Sequence, residues 1–150
     1  MKEKGWISLW APVVVWAGLI FFVSSIPDHR PAGSTGLPEL MSRKLAHLVE
    51  YGVLAFFVAR ALTGMGWAIR RVWAVGLLAC VLYAISDEVH QSFVPGRFGK
   101  VRDVVLDSLG AALVISLYAR RQMGRQSLRS LPVKGSPAVL STTARLDKSS

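Results

Sequence analysis

Between residues 86 and 103 the chain reads SDEVHQSFVPGRFGKVRD, a polar stretch set between two apolar runs. It holds Asp87, Glu88, His90, Gln91, Arg97, Arg102 and Asp103. Upstream, KLAHLVEY carries Lys44, His47, Glu50 and Tyr51, and downstream RDVVLDSLG carries Asp103, Asp107 and Gly110. Carboxylates beside a histidine suit acid–base transfer. His47 and Glu50 at i, i+3 have a spacing that presents two ligands to one metal, which Asp87, Glu88 and Asp107 would complete. Lys44, Arg97 and Arg102 suit a phosphate or carboxylate. Carboxylates alternating with His47 and Gln91 also fit a proton relay, although the other halves of these segments carry no matching polar groups. The plainer reading is a hydrogen-bonded ion network that ties helices together, and it weighs more than a metal site. No Walker loop, zinc-protease helix, cysteine cluster or Ser-His-Asp arrangement is present. We expect no metal and no cofactor, and an enzyme is the less favoured reading.

Helices must position these groups. At about 100° per residue, Arg43, Lys44, His47, Glu50 and Tyr51 share one arc of the second helix. Asp87, Glu88 and Gln91 share one of the third, with His90 just outside it, and Asp103, Asp107 and Gly110 share one of the fourth. Each is a narrow stripe on an otherwise apolar helix. A charge at the bilayer centre costs about 2.5–3.5 kcal/mol on insertion scales, so intramembrane charges face partners. The expected solution packs the three stripes together, with Arg43, Lys44, Arg97 and Arg102 paired to Glu50, Asp87, Glu88, Asp103 and Asp107. Ser108, Ala112 and Ser116 form a small-residue row suited to close helix approach. Pro95 and Gly96 end the third helix in a tight turn.

Composition sets the solvent. Hydrophobic residues are 52% of the 150, and charged residues 18%. Trp6–Ile26 holds 21 residues without a charge, enough to span the hydrocarbon core. It is longer than a signal-peptide core, and no A-x-A cleavage site follows. Val13–Val23 and Val72–Ile85 lack the polar stripe that a soluble bundle requires. We read an all-α integral membrane protein with four transmembrane helices over 6–26, 43–63, 71–93 and 103–120. Residues 1–122 form the membrane domain, and 123–150 a disordered basic cytoplasmic tail. The loop DHRPAGSTGLPELMS after the first span should be irregular. Cys80, the single cysteine, reads as a small apolar filler.

Placing both termini in the cytoplasm leaves 12 basic residues against two acidic ones on that side, and six against seven on the other. The basic excess marks the cytoplasmic side, so the chain reads N-in, C-in. Trp6, Trp10, Trp67 and Trp73 then sit near the inner interface. The net charge of +9 is explained by topology and by anionic lipids, without nucleic acid. The expected location is the bacterial cytoplasmic membrane, multi-pass, with the polar stripes forming an extracytoplasmic pocket.

KLAHLVEY, SDEVHQSFVPGR and RDVVLDSLGA, in that order, resemble the VanZ-like family of bacterial membrane proteins, as does FFVSSIP at the end of the first span. The resemblance covers residues 15–118. The E-x-x-Q-x-F-x-P-G-R run followed by D-x-x-x-(N/D)-x-x-G is its most specific part. Arg43 stands where an acidic residue often precedes the lysine, and Asp107 stands where Asn is frequent. The resemblance implies a cell-envelope protein, and the family takes its name from a protein linked to teicoplanin resistance. Some members are labelled phosphotransbutyrylases, a soluble acyl-phosphate chemistry that these residues do not support. The pocket of Lys44, His47, Glu50, Tyr51, Asp87, Glu88, Gln91, Arg97, Asp103 and Asp107 is then expected to bind an anionic envelope ligand. The candidates are an envelope lipid, a wall precursor or a glycopeptide, with membrane lipids as general partners. A membrane enzyme using Glu50 or Glu88 as base, and a structural partner of another membrane protein, stay open as alternatives.

Overall fold

The structure is a computed structural model that describes residues 3–27, 36–97 and 99–129. Among them the chain forms four helices and no strand: α1 (Glu3–Ser24), α2 (Leu37–Gly64), α3 (Ile69–Gln91) and α4 (Val101–Arg129). Three are long and apolar enough to cross a membrane, over Gly5–Ser24, Lys44–Gly64 and Ile69–Gln91. The fourth is diluted by Arg102, Asp103 and Asp107 at one end and by Arg120 and Arg121 further along.

Most helix ends fall within three residues of expectation, and two differ by more, for local reasons. The loop expected to run through Ser42 gives way to helix at Leu37, because Pro38 falls in the first turn, where a missing N–H is harmless. Residues 28–35 of that loop lie outside the described residues. Helix α4 continues to Arg129, into the segment expected to be a disordered tail. Arg, Gln, Met and Leu in that stretch are good helix formers, and their polarity does not oppose a helix. Residues 130–150 lie outside the described residues.

Small residues are concentrated in the core of α3 and α4, and many large apolar ones face outward. Helix α3 buries Gly76, Cys80, Ala84, Asp87, Glu88 and Gln91, while Leu78, Leu82, Ile85 and Val89 face outward. Helix α4 buries Asp107, Gly110, Ala111 and Ile115 and turns Val105, Leu109, Leu113 and Leu117 outward. In water this arrangement would waste apolar area. In hydrocarbon it is favourable, because lipid tails solvate the large side chains and small residues let helices approach.

Side-chain pairings fix the topology. Gly64 of α2 packs at Leu9 of α1, and the Phe57 and Trp16 rings lie 6.2 Å apart, so α2 returns along α1. The Tyr83 hydroxyl donates to the Ala17 carbonyl at 2.6 Å, which sets α3 parallel to α1. Trp73 Nε1 donates to Ser116 Oγ at 3.1 Å, and Gly76 packs beneath Ile115, so α4 returns along α3. The C-terminal ends of α1 and α3 therefore meet the N-terminal ends of α2 and α4 at one end of the bundle.

Helices α2 and α4 approach closely at Gly110, where a Cβ would lie 2.5 Å from the Leu48 carbonyl oxygen. The row Ser108, Ala112 and Ser116 lies on the adjacent face of α4. Its three residues are half-buried, and the Ser108 hydroxyl donates to its own Val104 carbonyl at 2.7 Å.

Candidate functional site

The polar groups collect at that common end. Asp87, on the last turns of α3, is buried and its Oδ2 accepts from Ser24 Oγ at 3.0 Å and Gln91 Nε2 at 2.8 Å. Gln91 also reaches Ser24 Oγ at 3.4 Å. Gln91 and Asp87 meet because i, i+4 positions stack on one helix face. Ser24 was not anticipated as a partner. Its signal was the pair of serines closing an apolar run in FFVSSIP.

Asp107 on α4 is fully buried, and His47 on α2 stands beside it with Nδ1 at 3.6 Å from Oδ1. That is an ion-pair distance, longer than a hydrogen bond. Tyr51, one turn along α2 from His47, is fully buried within electrostatic reach of both Asp87 and Asp107. His47 in turn lies near Glu50 and Asp87, and Glu88 near Asp103, Asp107 and His47. Among the described residues, several buried polar atoms here meet no hydrogen-bond partner: His47 Nδ1, Tyr51 Oη, Asp87 Oδ1 and both oxygens of Asp107.

The basic residues behave differently from expectation. Among the described residues, Arg97 pairs with no carboxylate. Its Nε and Nη2 donate to the carbonyls of Ile26 and Val23, each at 3.0 Å, and Nη1 reaches Gln91 Oε1 at 3.4 Å. The last turn of a helix leaves carbonyls without intrahelical donors, and a guanidinium satisfies two at once. Lys44 is half-buried and Arg102 exposed, and neither forms an ion pair among the described residues. The Arg43 side chain lies outside the described part. Arg97→Lys keeps the charge but loses the fork. It should lower the thermal unfolding midpoint in detergent nearly as far as Arg97→Ala, by about 1–2 kcal/mol in stability.

Glu88 anchors the turn. Its Oε2 accepts from the backbone N–H of Lys100 at 2.7 Å. A Cβ on Gly99 would lie 2.6 Å from the Glu88 carbonyl oxygen, so only glycine fits there. Gly96, with φ 78°, makes the preceding reversal after Pro95. Gly99→Ala and Glu88→Ala should each destabilise the protein by about 1–3 kcal/mol in thermal unfolding. Glu88→Gln keeps an acceptor and should cost less. Asp103 is half-buried at the start of α4, its N–H bonded to the Lys100 carbonyl at 2.8 Å. Glu50 is half-buried, and its carbonyl accepts from Trp16 Nε1 at 2.9 Å. His90, just outside the polar arc of α3, stacks on Phe21 at 4.3 Å and meets Ser25 Oγ at 3.0 Å.

Thus the end of the bundle gathers His47, Tyr51, Asp87, Glu88, Gln91, Asp103 and Asp107, while Arg97 serves helix α1. Among the described residues, no group of three or more His, Cys, Asp and Glu side chains is arranged to hold a metal ion. Nothing matches among curated proteins or solved structures. The sequence matches the VanZ/LLP1 family over residues 9–122, the four-helix region that carries every residue of this cluster. With most of its length so matched, the chain belongs to the VanZ-like family.

Proposed function

We propose that the protein is a four-span component of the bacterial cytoplasmic membrane, with both termini in the cytoplasm, whose extracytoplasmic polar pocket receives a ligand of the cell envelope. The outward row Val105, Leu109, Leu113 and Leu117 supports α4 as the fourth span. The stretch from Val101 to Ala119 reaches about 28 Å at 1.5 Å per residue. Arg70 and Arg71 on one side of the bundle, with Arg120 and Arg121, support the orientation. A fusion of alkaline phosphatase to the C-terminus should be inactive and one inserted after Gly99 active. The reverse pattern would overturn the topology.

The observation that carries the binding reading is the set of buried polar atoms without partners. A purely structural network satisfies its members, since leaving a buried group unpaired costs about 1–3 kcal/mol. The anionic ligand expected from Lys44 and Arg97 loses much of its support, because Arg97 is committed to α1. The buried part of the pocket offers acceptors. Given the family's link to glycopeptides, the test is deletion of the protein followed by challenge with glycopeptides and other envelope-directed antibiotics. Wild-type protein should restore the parental response, and Asp107→Asn should not, at equal abundance in the membrane. Full restoration by Asp107→Asn would sink the reading.

A second reading, a membrane enzyme acting on an envelope lipid or precursor, is favoured by one observation. The fully buried Asp107 stands behind a partly exposed His47, an arrangement that orients an imidazole as base. His47 replaces Glu88 as the better candidate, because Glu88 is held by the turn. Purified protein turning over labelled envelope lipids, with His47→Gln inactive, would support it.

A further inference from the structure

The buried cluster of Tyr51, Asp87, Asp107 and His47 has a charge imbalance that defines what fits in it. Asp87 and Asp107 are at most 3% exposed. Asp87 uses only one oxygen, on the neutral donors Ser24 and Gln91. Among the described residues, neither oxygen of Asp107 is in a hydrogen bond; His47 Nδ1 is 3.6 Å from Oδ1. Among the described residues, the charged groups near Asp107 are His47 from α2, Asp87 and Glu88 from α3 and Asp103 from α4. Three of those four are acidic. Arg97 is spent on the carbonyls of Val23 and Ile26.

We propose that this cluster is the receiving site for a primary ammonium group, held by Asp107, Asp87 Oδ1 and Tyr51 Oη. An ammonium has three donors and no acceptor, and these three side chains supply open acceptors. His47, 26% exposed and 3.6 Å from the fully buried Asp107, is the cluster member through which it would approach. A metal ion would want more ligands than the cluster arranges. The proposal rests on the ligand-binding reading above and names the chemistry of the recognised group. Such an amine occurs on a lipid headgroup or on a free amine from the extracellular side.

The test uses full-length protein in detergent micelles and reads the thermal unfolding midpoint. Ethylammonium chloride should raise it saturably. Tetramethylammonium chloride, a cation without N–H donors, and sodium chloride at equal ionic strength should not. Micelles doped with phosphatidylethanolamine, compared with phosphatidylcholine, decide the source: a much tighter response to the former assigns a lipid headgroup, and equal responses assign a free amine. Asp107→Asn should weaken the apparent ethylammonium affinity at least about tenfold. Tyr51→Phe, which removes one oxygen from an otherwise unchanged shape, should weaken it several-fold. An equal response to tetramethylammonium or sodium, no response to any amine, or an unchanged affinity in both variants overturns the proposal. If amines fail while Asp107→Asn still abolishes complementation of the deletion, the ammonium assignment falls alone. If Asp107→Asn complements fully, the pocket reading falls with it.

Discussion

Gly110→Ala should be among the most damaging single-methyl changes in the molecule. The added carbon would sit 2.5 Å from the Leu48 carbonyl oxygen and 3.2 Å from the Leu48 Cα. Those are backbone atoms inside a continuous helix, so no side-chain rotation relieves the clash. Either α4 moves away from α2 or α2 bends, and both separate Asp107 from His47, one helical turn away. Overpacking of this kind costs about 1–3 kcal/mol, and a rigid backbone neighbour places it at the upper end. The expected result is a thermal unfolding midpoint several degrees lower in detergent, with less protein in the membrane fraction. Gly110→Leu should prevent accumulation. Gly18→Ala is the control: nothing lies within 4 Å of the added carbon, and helix propensity should leave stability unchanged or slightly raised. Equal behaviour of Gly110→Ala and Gly18→Ala would mean that α2 and α4 do not cross at this point.

That crossing shows where sequence reading reached its limit. The four helices and their order were legible, because long uncharged runs have few other solutions. The shared end of the polar groups was legible from helical arcs, since hydrocarbon leaves ionisable side chains nowhere else to gather. Partner identity was not. Arg97 sits among carboxylates in the sequence and invites an ion pair, yet the end of α1 presents open carbonyls that only the three-dimensional arrangement brings within reach. Likewise Ser108, Ala112 and Ser116 advertise close packing by their spacing. The neighbouring face through Asp107, Gly110 and Ala111 comes against the α2 backbone at Leu48, and small residues on two adjacent faces cannot rank themselves. Gly99 was invisible as a requirement, because its need arises from the Glu88 carbonyl rather than from any local conformation. The end of α4 was misjudged for another reason: a polar basic composition reads as unfolded, whereas its residues favour helix individually.

The strongest separation between a structural and a functional cluster comes from Asp107. If this carboxylate holds the bundle together, removing its charge must weaken the fold. The structure argues the opposite. Among the described residues both oxygens lack hydrogen-bond partners, His47 stands at 3.6 Å, and the side chain is fully buried. A group in that state costs free energy in the unliganded protein. Asp107→Asn preserves the shape, removes the charge and adds a donor that can turn toward Asp87 or Tyr51. The unliganded variant should therefore be more stable than wild type, by about 1–3 kcal/mol, with an unfolding midpoint several degrees higher. The same variant should fail to complement the deletion, an exchange of function for stability expected where a site keeps unsatisfied groups ready for a ligand. Asp87→Asn is the contrasting case, because its Oδ2 already accepts from Ser24 and Gln91, and it should lose stability. Thermal unfolding of both variants, measured without added ligand, decides between the two roles: a lower midpoint for Asp107→Asn would make Asp107 a structural tie and leave the pocket without its central group.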